Sequence, residues 1–447
     1  MSALVDHYTA LLDGQDGLLL GGEVRRVVGL SVTAGGPAVA VGEMCRIHTR
    51  SGSQQALAVG FKEQEILLQP LGNPAGIRPG DRVEACGHGL EIPVGPGLIG
   101  RVIDALGQPL DGRGPIAGRS RRPVDGQPPP VMGRPPINSI LETGIKVVDS
   151  LFTLGKGQRM GIFAGSGVGK SVLLGEMARH AQADVNVIAL VGERGREVGE
   201  FVERILGPEG LARSVILVAT SDRPPVERVM AALAAHAIAE HFRDAGLDVL
   251  LMMDSVTRLC HAQREIGLAA GEPPTVRGYP PSAFAMLPGL LERAGTAAGG
   301  SITALYTVLM DADEEADPVA DNLRAILDGH LYLSREMAGR AIFPAVDLTR
   351  SVSRVMVDIV SERDQRWSLR ARELWGEYHR IRELVEIGAY QTGSNPEVDQ
   401  ALDCQPRLVS FIKQGIGVGV SREESLELLA DALGPALITQ MSAGAES

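Results

Sequence analysis

Residues 164–171 read AGSGVGKS, and they lie between an apolar run at residues 160–163 and a helix-like run that begins at Lys170. A glycine-rich loop between a strand and a helix is typical of a phosphate-binding site, because its backbone N–H groups can point inward at phosphate oxygens. Lys170 would reach the β- and γ-phosphates, and Ser171 would bind Mg²⁺. Ala164 stands where glycine is usual, but its side chain is small enough for such a loop. The residues expected at the nucleotide are Gly165, Ser166, Gly167, Val168, Gly169, Lys170, Ser171 and Val172.

The length and composition indicate a folded protein with more than one domain. The chain has 447 residues, which is more than one hydrophobic core usually serves, so two or three domains are expected. Hydrophobic residues make up 44% and charged residues 22%, which is ordinary for a folded chain. The formal net charge of −12 argues against non-specific attraction to nucleic acid or to anionic lipid.

The cysteines and the lack of long apolar runs bear on the cellular compartment. The four cysteines form no Cys-x-x-Cys pair, so neither a disulfide framework nor a zinc site is indicated. The N-terminus lacks the pattern of a secretory signal, and no run reaches the ~18 apolar residues needed to span a bilayer. We therefore expect a cytoplasmic protein that docks on a membrane complex.

Turn signals and hydrophobic periodicity divide the chain into four parts. Residues 1–20 carry apolar side chains at helical spacing and predict a short amphipathic helix. Residues 21–92 contain short Val-rich runs separated by turn signals, which predicts a small β-barrel. Residues 93–360 form the phosphate-loop domain, and residues 361–447 predict a helical domain. The core positions expected in the helical domain are Trp367, Leu374, Trp375, Tyr378, Ile381 and Leu384.

The phosphate-loop domain begins with a stretch rich in Pro, Gly and Arg. Residues 93–136 have this composition, which predicts a domain boundary followed by an irregular excursion. Three arginines within it, Arg119, Arg121 and Arg122, are expected to lie in a solvated loop.

Beyond residue 136, strand-like and helical runs alternate. The strand-like runs lie at residues 160–163, 186–191, 215–219 and 249–253, and helical patterns separate them. Such alternation predicts βαβ units and a parallel sheet. Because ligands of these sheets bind at the carboxyl ends of the strands, the residues just after each run are the first candidates for a site.

Two carboxylates occupy such positions. Asp254 ends the apolar run at residues 249–253, where it could hold the Mg²⁺ shell. Glu193 follows a strand-like run within the motif GERGRE at residues 192–197, where it could polarise a water that attacks the γ-phosphate. Taken alone, a glutamate in a charged turn would be read as a surface residue.

The motifs resemble the catalytic subunits of rotary ATPases, and within that superfamily they most resemble the type III export ATPases of flagella and injectisomes. The resemblance covers nearly the whole chain and is densest between about residues 93 and 360. It is carried by AGSGVGKS, by GERGRE, by DSVTR at residues 254–258, by GYPPSAFAMLPGLLERAG at residues 278–295 and by ILDGH at residues 326–330.

This resemblance implies an α/β fold with a RecA-like P-loop parallel sheet, an N-terminal small β-barrel and a C-terminal helical domain. It also implies site roles that spacing alone does not give. Glu193 matches the catalytic glutamate, Arg194 stands beside it in the same motif as a further catalytic candidate, and Arg354 matches the arginine that one subunit inserts into its neighbour's site. Phe343 falls where the family places an aromatic ring against adenine, so ATP is the implied nucleotide.

The resemblance further implies partners. A homo-oligomer, a hexamer in the family, would complete its sites between identical subunits. A stator-like regulator would bind the N-terminal helix, and a central stalk protein, export chaperones with their cargo and the export gate at the inner membrane would be the other partners. The segment at residues 271–282, stiffened by four prolines, lies near the central channel in the family and is equally well explained as a structural turn.

Two other classes of function remain to be weighed. A Rho-like RNA-dependent motor would bind single strands in its barrel with stacked aromatics and a basic groove. Residues 21–92 contain one aromatic residue, Phe61, and seven Lys or Arg against seven Asp or Glu, so this hypothesis is poorly supported. A non-hydrolysing ring subunit of a rotary synthase would have no need of a carboxylate at Glu193. An ATPase without nucleic-acid partners is therefore the favoured interpretation.

Overall fold

The computed structural model describes residues 21–117, 120–310 and 317–435. The amphipathic helix predicted for residues 1–20 lies outside the described residues, and so does Arg119.

The first domain is a closed antiparallel barrel of six strands, in the order β1-β2-β5-β4-β3-β6. Alternating apolar residues such as Val32, Ala34, Ile47 and Leu68 point inward and are fully buried. This confirms the small barrel expected from the Val-rich runs. The strands are β1 Gly21–Val28, β2 Ser31–Gly35, β3 Glu43–Thr49, β4 Gly52–Lys62, β5 Glu65–Pro70 and β6 Arg82–Gly89.

The central domain is built on a nine-stranded sheet with the order β19-β18-β12-β17-β15-β13-β14-β8, and β16 pairs with β17 beside this path. The neighbours from β18 to β8 are parallel, whereas β16 and β19 run antiparallel to theirs. The remaining strands form small two-stranded sheets, β7 with β9 and β10 with β11. The strands are β7 Glu91–Val94, β8 Val102–Asp104, β9 Ser120–Pro123, β10 Ile140–Leu141, β11 Leu154–Gly155, β12 Arg159–Ala164, β13 Val185–Val191, β14 Ser214–Ala219, β15 Asp248–Asp254, β16 Gly295–Thr296, β17 Ser301–Leu309, β18 Gly329–Leu333 and β19 Val352–Ser353.

Helices cover both faces of this sheet, which is why its strands are apolar throughout. Along β13, Val187 and Ala189 enter one hydrophobic core while Ile188 and Leu190 enter the other. A π-helical turn, Phe201–Leu206, separates α3 from α4. The helices are α1 Lys146–Leu151, α2 Lys170–His180, α3 Gly195–Glu200, α4 Gly207–Ala212, α5 Pro225–Asp244, α6 Val256–Ala270, α7 Pro281–Leu291, α8 Pro318–Ile326, α9 Arg335–Gly339 and α10 Met356–Ile359.

Up to residue 435, where the described residues end, the C-terminal part consists of three helices, α11 Glu362–Glu386, α12 Pro396–Ile412 and α13 Arg422–Leu433. Their N-caps are Ser361, Asn395 and Ser421, each of which accepts a backbone N–H in the first turn. The helical domain was expected, but one of its core positions was predicted wrongly. Leu374, Trp375 and Ile381 are buried, and Trp367 and Tyr378 pack against the core, whereas Leu384 is 49% exposed because it lies near the free end of the long α11.

The Arg-rich excursion also differs from its prediction as an irregular solvated loop. Residues 120–123 form β9, which pairs with β7, and β8 adds an edge strand to the central sheet beside β14. Arg122 is tied to α5, since its guanidinium lies 2.8 Å from Asp244 and 3.4 Å from Glu240. Partners from distant parts of the chain thus help to order this stretch, and they are not visible in its local composition.

A buried ion pair joins α5 to the turn that follows α7. The side chains of Arg293 and Glu240 are 2% and 1% exposed, and two hydrogen bonds of 2.7 and 3.0 Å connect them. Arg293 also donates to the carbonyl oxygen of Val124 at 2.7 Å. The pair therefore fixes the segment after α7 to α5 and to the start of the central domain.

We predict that Arg293→Met lowers the free energy of unfolding by about 3–5 kcal/mol, because it leaves Glu240 buried with its main partner removed. Urea unfolding followed by circular dichroism measures this change. Arg380→Met, which removes an arginine from an exposed ion pair with Glu377 on α11, is the matched control and should leave the midpoint unchanged. The double variant with Glu240→Leu should recover much of the loss, and no recovery would contradict the buried-charge explanation.

Candidate active site

The AGSGVGKS loop lies at the carboxyl edge of the central sheet, between the end of β12 and the start of α2. Gly167 and Gly169 have φ angles of 77° and 89°, in the left-handed region that favours glycine, so they allow the loop to curl around the start of the helix. Within the described part of the chain, no side chain caps the N-terminus of α2. The N–H groups of its first turn are thus oriented toward the space where phosphate oxygens would bind.

Lys170 is the first residue of α2, and it is buried with its ammonium directed at two carboxylates. Its Nζ donates to Asp254 Oδ1 and lies 4.0 Å from Glu193 Oε1. Each carboxylate stands at the carboxyl end of a strand, Asp254 as the last residue of β15 and Glu193 two residues after β13. The structure therefore brings together three of the residues predicted from the sequence.

The strand between the loop and Asp254 helps to orient that carboxylate. In the sheet β17 lies between β12 and β15, and its Thr307 hydroxyl is 2.7 Å from Asp254 Oδ1. The same hydroxyl is 3.2 Å from the carbonyl oxygen of Met253. Thr307 was missed by the sequence analysis, because a threonine within an apolar strand carries no local sign of such a role.

Glu193 combines burial with an unsatisfied oxygen. Its Oε1 is buried and has no hydrogen-bond partner among the described residues. The pKa of this carboxyl is raised to about 7, first by burial and then by the nearby Asp254, while Lys170 acts in the opposite direction. Backbone hydrogen bonds hold the turn, from Gly192 N to Ala219 O at 2.7 Å and from Ser221 N to Glu193 O at 3.0 Å. A carboxylate with these properties is suited to accept a proton from a water near neutral pH.

The two arginines that the sequence analysis proposed for the site point away from it within their own chain. The Arg194 side chain is 75% exposed, and it pairs with Glu197 at 3.2 Å in the first turn of α3. The guanidinium of Arg354 donates to the carbonyl oxygens of Leu327 and Arg324, both at 3.3 Å, at the carboxyl end of α8. Neither group contacts Lys170, Glu193 or Asp254 in the described residues.

An apolar pocket opens beside the phosphate loop. It has a volume of about 420 Å³, and Gly167, Val168, Gly169 and Val172 line one side of it. Phe343 lines the other side with 41% of its surface exposed, and its ring would lie 3.4 Å from a Cβ at Gly169. The exposed face of an aromatic ring next to the loop suits a planar base such as adenine.

The C-terminal part contributes three pocket residues that the sequence analysis missed, namely Gln414, Gly415 and Ile416. Gln414 anchors this connector, because its N donates to Phe343 O at 2.9 Å and its Oε1 accepts from Lys146 N at 2.8 Å. The contact with Lys146 joins residues 268 positions apart in sequence and the contact with Phe343 joins residues 71 positions apart, so no local pattern could indicate them.

The residues present fit a magnesium-bound triphosphate. The described residues hold no cluster of three His, Cys, Asp or Glu side chains that could bind a metal ion by themselves. Mg²⁺ commonly takes one or two protein oxygens together with phosphate oxygens and waters, and Ser171 and Asp254 could supply those protein ligands.

Comparisons with known proteins agree with this geometry. The family model "ATP synthase alpha/beta family, nucleotide-binding domain" matches residues 144–353, and "ATP synthase alpha/beta family, beta-barrel domain" matches residues 24–87. The model "T3SS EscN ATPase C-terminal domain" matches residues 360–431. Among the described residues, no helix has both the length and the apolar character required to cross a membrane.

Similar proteins match over most of their length. The flagellum-specific ATP synthase of Bacillus subtilis is 51% identical over 92% of this chain and 95% of its own. The type 3 secretion system ATPase of Xanthomonas euvesicatoria is 52% identical over 91% and 93%. The assembled ATPase EscN of enteropathogenic E. coli, solved in complex with its central stalk EscO, is 41% identical with a TM-score of 0.85 over 92% of this chain and 100% of that chain. This chain therefore belongs to the family of flagellar and type III secretion ATPases, within the ATP synthase alpha/beta family.

Proposed function

We propose that this protein hydrolyses MgATP between identical subunits and uses the cycle to unload chaperone–cargo complexes for export through a type III apparatus. The observation that carries the chemistry is the convergence of Lys170, Asp254 and Glu193 at the carboxyl edge of the sheet, beside an uncapped helix N-terminus. The export role rests on family membership.

Each residue of the site has a separate role in the proposed hydrolysis. Lys170 and the N–H groups of the loop hold the phosphates, and Phe343 with the connector at 414–416 holds the base. Glu193 orients a water and accepts its proton, since its Oε1 accepts no hydrogen bond from the described residues and lies 4.0 Å from Lys170 Nζ. Thr307 keeps Asp254 directed toward the metal position. Mg²⁺, when bound, neutralises charge on the terminal phosphates.

Arg354 is proposed to act in a neighbouring subunit. Its backbone N donates to Asp328 O at 3.0 Å, immediately before β18, whereas the phosphate loop follows the far end of the parallel neighbour β12. The five or six strand residues between these positions span roughly 16 Å. The guanidinium therefore lies at the opposite end of these strands from its own loop, which supports a role at a loop supplied by a second copy.

The proposed assembly is a homo-oligomeric ring, a hexamer, with a central stalk protein as its partner. The assembled state of EscN and its complex with EscO support this proposal. Residues 1–20 would bind a stator-like regulator, the 361–447 domain would face chaperones and cargo, and the export gate would be met at the inner membrane. The proposed domains are a barrel at residues 21–92 and an ATPase domain at residues 93–360. We also propose that the protein is cytoplasmic and docks peripherally on the export apparatus.

We predict that Lys170→Ala reduces ATP turnover at least about 100-fold, because it removes the buried cation that contacts the phosphates. Phosphate release under saturating MgATP measures the effect. Lys156→Ala is the matched control, since Lys156 pairs with Asp248 at 2.5 Å at the other end of β15. Equal activity of the two variants would contradict the assignment of Lys170.

We predict that Glu193→Gln retains ATP binding but lowers kcat by about 10²-fold or more, because the amide cannot accept the proton of the attacking water. Calorimetric binding and single-turnover hydrolysis separate the two effects. Normal hydrolysis by this variant would show that Glu193 is not the base.

We predict that Arg354→Ala lowers turnover by about 10³-fold or more even when assembled. Mixing it with wild-type protein should depress activity more than in proportion to its share, because each variant subunit also disables a neighbour's site. A strictly proportional loss in such mixtures would argue against a residue that acts between subunits.

A further inference from the structure

Arg335 occupies a position beside the phosphate loop that neither the motifs nor the roles above account for. It lies two residues after β18, and β18 pairs in parallel with β12, so that Leu333 is opposite Ala164. The next residues of the two strands therefore emerge side by side at the carboxyl edge of the sheet. One continues as the phosphate loop, and the other begins α9 with Arg335.

The guanidinium of Arg335 packs directly on the backbone of the loop. A Cβ added to Gly165 would lie 2.6 Å from Arg335 Nε, 2.7 Å from Nη2 and 3.0 Å from Cζ. The guanidinium thus fills the space that a Cβ at position 165 would occupy, and it lies against the first glycine of the loop.

The charge of Arg335 is available for a ligand. Among the described residues it makes no ion pair, although the neighbouring Glu336 pairs with both Arg340 and Arg382. The residue is exposed and its guanidinium lies beside the loop, so a ligand that enters the loop from solvent can reach it. In contrast, the nearby ammonium of Lys170 already has two carboxylates around it. A triphosphate that enters this site therefore meets one paired and one unpaired cation.

The two ends of the loop also differ in character. Phe343 lies against Gly169 at the end that forms the apolar pocket, and Arg335 lies against Gly165 at the end next to β12. A nucleotide whose base enters the apolar pocket would extend its phosphates away from Phe343 along the loop. Its terminal phosphate would then be the group nearest to Arg335.

We propose that Arg335 binds the terminal phosphate of the nucleotide and makes the site selective for a triphosphate over a diphosphate. The guanidinium is suited to this because its planar fork can donate two hydrogen bonds to one phosphate. This inference rests on the proposed function, since it assumes that the loop binds ATP. It adds a specificity-determining residue from a strand end that carries no nucleotide-binding motif.

The test compares the affinities of the full chain for a non-hydrolysable ATP analogue and for ADP, each with Mg²⁺, by calorimetry. Arg335→Gln should weaken binding of the analogue by about tenfold to a hundredfold and leave the affinity for ADP unchanged. Arg335→Lys should fall between, because it keeps the charge and loses the fork. Arg340→Gln, at the residue that follows α9 and pairs with Glu336, should leave both affinities as in wild type.

Each result bears on a different claim. If wild-type protein binds neither nucleotide, the proposed function fails and this assignment fails with it. If wild type binds both, and Arg335→Gln weakens both equally or neither, only the role of Arg335 is overturned. Because Arg335 is exposed, the variant is expected to fold, and Arg335→Lys provides a second readout of the triphosphate preference.

Discussion

A buried positive charge at the carboxyl edge of the sheet is the constraint on which the site depends. Removing an ammonium from water costs several kcal/mol unless a partner charge and hydrogen bonds compensate. Lys170 has that partner in Asp254, and the Thr307 hydroxyl fixes the partner in turn. The arrangement requires β17 to lie between β12 and β15. The strand order of the central domain therefore determines whether the lysine of the loop has an oriented carboxylate partner.

The apolar pocket beside the phosphate loop shows how the C-terminal helices are joined to this edge. The connector between α12 and α13 contacts three residues of the central domain, because Gln414 bonds to Phe343, to Lys146 and to Gly144. Further along, Gly417 N donates to Glu176 Oε2 of α2 at 2.6 Å. A shift of α12 or α13 relative to the sheet must break these bonds or move the pocket. The domain proposed to meet cargo is thus physically continuous with the nucleotide site.

The sequence predicted most reliably what depends on neighbouring residues. The loop, its flanking strand and helix, and the carboxylate positions after two strands all follow from local patterns, as does the barrel from its alternating apolar residues. Long-range contacts were not predictable in this way. The ordering of Arg122 by α5, the orienting hydroxyl of Thr307 and the pocket residues at 414–416 depend on which distant elements become neighbours. The position of Arg335 belongs to the same class, because it follows from the parallel register of β18 with β12.

The geometry around Arg354 connects its guanidinium to one short helix. Strand β17 ends at the carboxyl edge of the sheet, where the N–H of Leu309 donates to Thr257 Oγ1 at 2.9 Å, and Thr257 lies three residues after Asp254 in sequence. Helix α8 comes after β17 in the chain. Its nine residues span about 14 Å, and its carboxyl end holds the Arg354 guanidinium. A cation at that end is favoured by the helix dipole. Because the guanidinium is bonded to this end, we expect a displacement of α8 along its axis to move the arginine that we propose for a neighbouring subunit's site.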